Sequence, residues 1–209
     1  MVLSALIGAA ASTVLCLPRF LVWEKRLLPV WYLEAIVFFG GFVLWAFVFA
    51  WHTEYTRRPV FMLKISPIVF TTATLVGVMG AITSSYFLDP HLRKILPEEF
   101  PADPLHWVAS TLFALAFTDL FLLFAPYAWA MRLFRNEKAA MGIAFTLGIA
   151  VWLLKINSST HALPDRLFLD LFLSRMLQGI FAVWLYSRGG VLVIWWMGLL
   201  IEARHLLNL

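Results

Sequence analysis

Charged residues are scarce in this chain, and cysteine is nearly absent. Only 13% of the 209 residues are Asp, Glu, Lys or Arg, whereas 62% are hydrophobic. Soluble domains carry roughly a quarter charged residues, so this composition excludes an ordinary water-soluble fold. The single cysteine, Cys16, excludes an internal disulfide and a metal site built from several cysteines.

Apolar runs of roughly 20 residues recur along the chain, and this is the length that crosses a bilayer as an α-helix. A β-barrel would need short segments of alternating polarity, which the continuous run 30–51 does not provide. We therefore predict an all-α fold, a polytopic integral membrane helical bundle with six or seven transmembrane helices. Residues 1–209 are expected to form a single transmembrane domain, and we expect the membrane to be a bacterial inner (cytoplasmic) membrane.

Polar segments and aromatic residues delimit the predicted spans. The spans cover residues 1–17, 30–51, 66–88, 106–129, 139–154, 167–186 and 191–207. We favour a retained first helix over a cleaved signal peptide, because no basic residue precedes its apolar run. The third span is rich in Gly, Ser and Thr, which predicts a helix packed closely against its neighbours. The last two spans are expected to be joined by a turn at 187–190.

Residues 18–29 and 89–105 are predicted loops. The second is the longest polar segment, and prolines interrupt it repeatedly. Its acidic residues are Asp89, Glu98, Glu99 and Asp103. The Glu98-Glu99 pair has the form of a paired-carboxylate catalytic motif, but the prolines on both sides favour a solvated acidic loop.

Basic residues lie mostly in the loops, and Lys and Arg outnumber Asp and Glu by 16 to 12. At such positions they anchor helix ends at lipid headgroups, so the lipid bilayer is the expected partner and nucleic acid is not. The two sides of the predicted bundle carry nearly equal numbers of Lys and Arg. The positive-inside rule therefore leaves the orientation open.

Among the ionisable residues of the predicted spans we single out three that lie deep, where a charge is costly and indicates a function by default. Asp119 lies in the middle of the fourth span, Arg175 in the sixth and Glu202 in the seventh. Under one hypothesis they form a polar centre that handles a proton, an ion or a polar headgroup. Under the other, Asp119 and Arg175 form a buried ion pair that holds helices together, and Glu202 reaches Arg204 or the membrane interface. Gln178, one turn from Arg175, fits both hypotheses.

Glu202 and His205 form an E-x-x-H pair, which places a carboxylate and an imidazole on one helical face. Di-iron bundles use two such pairs and two further Glu residues, and this chain has no second copy. We therefore predict no metal site and no cofactor. The chain is rich in aromatic residues, with 10 Trp, 19 Phe and 5 Tyr, and is therefore compatible with a bound lipid or pigment.

The segment 167–209 contains the pattern F-x-x-x-x-L-x-G-x-x-x-x-W-L-Y-x-R-x-G, followed by an apolar helix. The residues that carry it are Phe172, Leu177, Gly179, Trp184, Leu185, Tyr186, Arg188 and Gly190. This pattern resembles the last two helices of the CPBP family, the intramembrane proteases and relatives that include the CAAX prenyl endopeptidases. The resemblance implies a helical bundle of similar size and layout.

Catalysis in the CPBP family depends on an E-E-x-x-x-R motif, then F-x-x-x-H, then H-x-x-x-N, and this chain departs from all three. Asp119 is the one carboxylate where the first motif should fall, and no arginine follows it at the required spacing. Phe145 is followed by Ile149 in place of the histidine, and His205 and Asn208 are spaced H-x-x-N. The resemblance therefore implies the bundle without the protease.

Three functions remain open. The first is a non-catalytic membrane protein, a subunit or scaffold of a larger membrane complex with other membrane proteins as partners. The second is an intramembrane hydrolase or lipid-modifying enzyme of CPBP type, with Asp119, Glu202 and His205 as catalytic candidates. The third is a small transporter with Asp119 and Arg175 at a midplane site. We favour the first, because the catalytic motifs are incomplete and the loops are short.

Overall fold

Helices account for every regular element in the part of the chain that the computed structural model describes, residues 1–23, 27–97, 100–157 and 164–208. Within these residues, six helical segments are long and apolar enough to cross a membrane. This confirms the prediction of an all-α, polytopic membrane bundle.

The helices are labelled α1 to α7 in chain order. The first five are Val2–Val22 (α1), Val30–Thr56 (α2), Pro67–Ile95 (α3), Pro104–Phe134 (α4) and Glu137–Asn157 (α5). The segment Asp165–Glu202 follows, divided by Gly190 into α6 (165–189) and α7 (191–202), and a 3₁₀-helical turn, Ala203–Asn208, comes after it.

The chain forms two compact units. Unit 1 comprises Met1–Phe61 and Asp103–Ala144, and unit 2 comprises Met62–Ala102 and Phe145–Leu209. That the whole chain is a single domain stays a prediction.

The chain reverses direction at Gly190, where a φ of 68° and a ψ of −163° break the helix. This backbone conformation is essentially restricted to glycine. A Cβ added to Gly80 of α3 would lie 3.6 Å from Nε2 of Gln178 and 3.3 Å from Cγ1 of Ile201. Those two residues would be about 35 Å apart along an uninterrupted helix, so both can reach Gly80 only if α6 and α7 form a hairpin. The reversal predicted at 187–190 is thus confirmed, and it takes place at Gly190, since residues 187–189 remain helical.

The predicted loop 89–105 is wrong at its start, because α3 continues past Pro90. A proline lacks the N–H of the helical hydrogen bond, and its ring clashes with the carbonyl four residues earlier. The π-helical turn Ser84–Leu88 contains that carbonyl and widens the helix there, so the helix passes the proline. The same device recurs in α4, where the π-helical turn Leu120–Phe124 precedes Pro126.

The predicted loop 18–29 also begins too early. α1 continues through Pro18 to Val22 before the chain leaves the helix at Trp23. Three basic residues of the predicted loop were expected to anchor it at lipid headgroups. Arg19 lies in the last turn of α1, and Lys25 and Arg26 lie outside the described residues.

Asp103 fixes the start of α4. Its Oδ1 accepts a hydrogen bond from the main-chain N–H of His106 at 2.9 Å, and its Oδ2 lies 2.8 Å from Nδ1 of the same histidine. The main-chain bond and then the side-chain bond to His106 lower the pKa of Asp103, because both favour the ionised carboxylate. An ionised N-cap satisfies an otherwise unpaired N–H at the start of the helix.

Small residues of α1 let its neighbours approach closely in unit 1. A Cβ added to Gly8 would lie 2.9 Å from the Trp45 ring of α2. The buried hydroxyl of Ser12 accepts a bond from the indole N–H of Trp45 at 3.0 Å and donates to the carbonyl of Ala116 in α4 at 3.2 Å. Hydrogen bonds of this kind satisfy polar groups that hydrocarbon cannot solvate.

In unit 2, α3 contacts both arms of the hairpin. A Cβ added to Gly77 would lie 2.9 Å from Cβ of Leu200 in α7. The indole N–H of Trp196, also in α7, donates to the hydroxyl of Thr74 at 2.9 Å. The prediction that the small and hydroxyl residues of this helix pack against neighbours is therefore confirmed.

We predict that Gly77→Ala destabilises the protein by about 1–3 kcal/mol, the usual cost of overpacking a tight contact. The new methyl group meets Leu200 and lies 3.1 Å from the main-chain carbonyl of Met197, which cannot move aside without shifting α7. Gly40→Ala in α2 is the matched control, because no described atom lies within 4 Å of its added Cβ. Both changes raise helix propensity equally. Equal unfolding midpoints in an SDS titration would contradict the prediction.

Candidate functional site

Asp89 of α3 and Arg204, which follows α7, form a buried salt bridge in unit 2. Nε of Arg204 donates to Oδ2 of Asp89 at 3.0 Å, and the two side chains are only 13% (Arg204) and 4% (Asp89) exposed. Nη1 of Arg204 also donates to the main-chain carbonyl of Ile201 at 2.8 Å. These bonds replace part of the hydration that both charges lose on burial.

Glu202 joins this pair to His205. Its Oε1 lies 3.7 Å from Nη1 of Arg204, and its Oε2 lies 3.6 Å from Nε2 of His205. The predictions that Glu202 and His205 share one face and that Glu202 reaches Arg204 are confirmed. We call the connected set Asp89, Glu202, Arg204 and His205 the hairpin-end network.

Phe100 packs against this network. Its ring lies 5.5 Å from the ring of His205, edge to face, and 4.8 Å from the guanidinium carbon of Arg93. Nδ1 of His205 has no hydrogen-bond partner among the described residues, and the residue is 5% exposed. The imidazole is therefore positioned by ring packing and by its carboxylate neighbour. Glu98 and Glu99, which precede Phe100, lie outside the described residues.

A polar pocket of about 40 Å³ lies beside the network, within unit 2. Its polar lining consists of Ser84, Asp89, Ser174, Arg175, Gln178, Glu202 and Arg204. A water needs roughly 10–15 Å³ of such space and two to four polar partners, so the pocket can hold a small water cluster. It is too small for a pigment. Across the described parts of the chain, no three His, Cys, Asp or Glu side chains converge as metal ligands would.

The four predicted site residues divide between the units. Asp119 belongs to unit 1, where it is half-buried between the π-helical turns Ala114–Thr118 and Leu120–Phe124. Arg175 belongs to unit 2, where it is exposed and lines the polar pocket. The ion pair between Asp119 and Arg175 stays a prediction. Of the three catalytic candidates, the hairpin-end network brings together Glu202 and His205.

Sequence reasoning missed Asp89 and Arg93, because an Asp-Pro dipeptide predicts a loop. The signal that could have found them is the apolar periodicity on both sides of the proline. Leu88, Leu92 and Ile95 recur at helical spacing, and all three face one hydrophobic cluster. A helix that continues through this stretch places Asp89 and Arg93 one turn apart, at the end of α3.

Comparisons with known proteins give no relative from which a function could be carried over. No protein-family model, curated protein or solved structure matches the chain. The resemblance of 167–209 to the CPBP family stays a prediction that rests on the residues of its pattern.

We predict that Asp89→Asn lowers the stability of the protein by about 3 kcal/mol, because it leaves Arg204 buried with its best partner removed. The measurement is the unfolding midpoint in detergent, with Asp170→Asn as the matched control. Asp170 is exposed on α6 in the same unit, so its substitution should leave the midpoint unchanged.

The double variant Asp89→Leu with Arg204→Met tests whether the instability comes from a buried Arg204 without its partner. Replacing both charges by apolar side chains removes the desolvation cost together with the attraction, and such replacements are often neutral or stabilising. The double variant should therefore be more stable than Asp89→Asn. A double variant that is as unstable as Asp89→Asn would show that the instability does not come from Arg204 left without its partner.

Proposed function

We propose that this chain is a non-catalytic subunit or scaffold of a larger membrane complex, and that α5 is the helix that packs against a transmembrane helix of a partner protein. The observation that carries the proposal is the open face of α5. In its most apolar stretch only 11% of residues are buried within the chain, compared with 39% for α4.

Small residues recur at four-residue spacing on the open side of α5, which also exposes Leu147, Leu153 and Leu154. Gly142, Thr146 and Ala150 are all exposed, and no described atom lies within 4 Å of a Cβ added to Gly142 or Gly148. A glycine costs a helix about 1 kcal/mol relative to alanine. In a bilayer, small residues recover that cost where they let another helix approach closely. Lipid chains offer no such gain, so this face fits a helix better than it fits lipid.

The hairpin-end network supports the non-catalytic part of the proposal. Glu202 contacts Arg204 and His205, and Arg204 bonds to Asp89, so each member is engaged by another member. Charges that compensate one another in this way hold neighbouring helices together. This favours a structural role for the ionisable residues over a polar centre that acts on a proton, an ion or a headgroup. The CPBP-like bundle and the bacterial inner membrane belong to the same proposal, which describes a pseudoenzyme of that family.

Affinity purification of the tagged chain from membranes of its source organism, followed by mass spectrometry, tests the proposal. The wild-type chain should recover at least one membrane protein in stoichiometric amount. Gly142→Leu should reduce that recovery about tenfold or more, a loss of roughly 1.4 kcal/mol in association free energy. It should leave folding intact, because Gly142 is exposed and no described atom lies within 4 Å of an added Cβ.

Gly40→Leu is the matched control for partner capture. Gly40 lies on α2 and also has no described atom within 4 Å of an added Cβ, so the same bulk is placed on a different helix. It should recover the partner as well as the wild-type chain does. A wild-type chain that purifies alone would contradict the complex, and full recovery with Gly142→Leu would contradict the role of α5.

The polar pocket favours a second candidate, an intramembrane hydrolase or lipid-modifying enzyme. Glu202 lines a space that can hold water, and a carboxylate beside water can act as a general base. Under this candidate, Glu202→Gln abolishes the cellular function while partner recovery stays at the wild-type level. Under the favoured proposal, the function follows partner recovery, so Glu202→Gln preserves both as long as the protein folds.

A further inference from the structure

The ends of α2 and α4 and the start of α5 form a basic surface in unit 1. Five basic residues lie there against two acidic ones, Glu54 and Glu137. We call the five the basic end of unit 1: Arg57, Arg58, Arg132, Arg135 and Lys138. All but Arg58 are exposed, and Arg58 is paired with Glu137 at 3.5 Å.

Aromatic rings frame this surface. The guanidinium carbon of Arg132 lies 4.7 Å from the centroid of the Trp51 ring, and that of Arg135 lies 5.9 Å from the Tyr55 ring. Trp129 and Phe134 are exposed on the adjoining turns of α4. Trp and Tyr concentrate at the level of the lipid headgroups, so these rings place the basic end at the membrane surface.

Arg57 and Arg135 occupy equivalent positions in the two helices. Each is the first residue after a candidate span, and each adopts the left-handed conformation, with φ of 57° and 48°. Their main-chain N–H groups donate back to Thr53 and Met131 at 3.0 and 2.9 Å, which closes the helix ends. Glycine fills this role without strain and is the usual residue. Two arginines in strained backbone at one surface indicate that their side chains are used.

We propose that the basic end of unit 1 binds the phosphate group of an anionic phospholipid. Guanidinium groups match the geometry of phosphate oxygens through paired hydrogen bonds. A net positive surface at headgroup depth favours lipids that carry net negative charge over zwitterionic ones. The exposed Trp129 and Phe134 offer contacts to acyl chains that a soluble phosphate does not possess. This proposal does not depend on which protein packs against α5.

Native mass spectrometry of the full chain in detergent tests this site. The probes are dioleoylphosphatidylglycerol and dioleoylphosphatidylcholine, titrated separately. The wild-type chain should retain the phosphatidylglycerol about tenfold more than the phosphatidylcholine. The double variant Arg57→Gln with Arg135→Gln should lose most of that preference. Equal retention of both lipids by the wild-type chain would overturn the proposal.

The matched control removes two other exposed arginines at helix ends, Arg166→Gln with Arg188→Gln. It changes the net charge by the same amount in unit 2 and should keep the preference. If it loses the preference equally, the effect is one of total charge and the proposed site is wrong. Soluble glycerol phosphate at millimolar concentration should not displace the lipid. Complete displacement would identify a soluble phosphate as the ligand and overturn the lipid assignment.

A second variant keeps the test valid if the glutamines impair folding. Arg57→Gly with Arg135→Gly relieves the left-handed strain and should raise the unfolding temperature measured without lipid. The same variant should lose the preference for phosphatidylglycerol. A glycine variant that gains stability and keeps the preference would show that the arginine side chains do not hold the lipid.

Discussion

A buried charge is stable only where another group compensates it, and in unit 2 the Asp89–Arg204 salt bridge provides that compensation. The bridge requires two features of the fold at once. α3 has to stay helical through Asp89 and Pro90, so that Asp89 is held in its last turns. The chain also has to reverse at Gly190, so that Arg204 returns to the same end of α3. The polar pocket and the contact between Glu202 and His205 follow from that return.

Most of the fold could be predicted from the sequence, because hydrocarbon imposes a single solution on long apolar runs. The six spanning segments and the turn at Gly190 follow from run length and from glycine placement. The helix ends were predicted less well, because the rule that proline ends a helix fails at Pro18 and Pro90. At Pro90 a π-helical turn contains the carbonyl that the proline ring would otherwise meet, whereas α1 accommodates Pro18 without such a turn. Single-residue propensities carry no information on that change of hydrogen-bond register.

Less of the candidate site could be predicted, because its contacts join residues that are distant in sequence. Glu202 and His205 are three residues apart, and a local rule sufficed to place them on one face. Asp89 and Arg204 meet through a hydrogen bond between residues far apart in the chain, and only the packing of α3 on the hairpin brings them together. The basic end of unit 1 has the same character. Its basic residues follow two helices that are far apart in the sequence. They form one basic surface only because the ends of α2 and α4 lie side by side.

The reversal at Gly190 is the claim on which this account of unit 2 depends, and a distance between two spin labels tests it directly. Labels at Leu177→Cys and Leu199→Cys occupy exposed positions and leave the packed faces of unit 2 untouched. The Cys16→Ala background removes the one native cysteine, which is buried in unit 1. In the hairpin, the labels should lie roughly 10–20 Å apart, given helix axes 8–10 Å apart. Along a continuous helix they would be about 33 Å apart. A short distance supports the hairpin and the network that it brings together, whereas the long distance would contradict both.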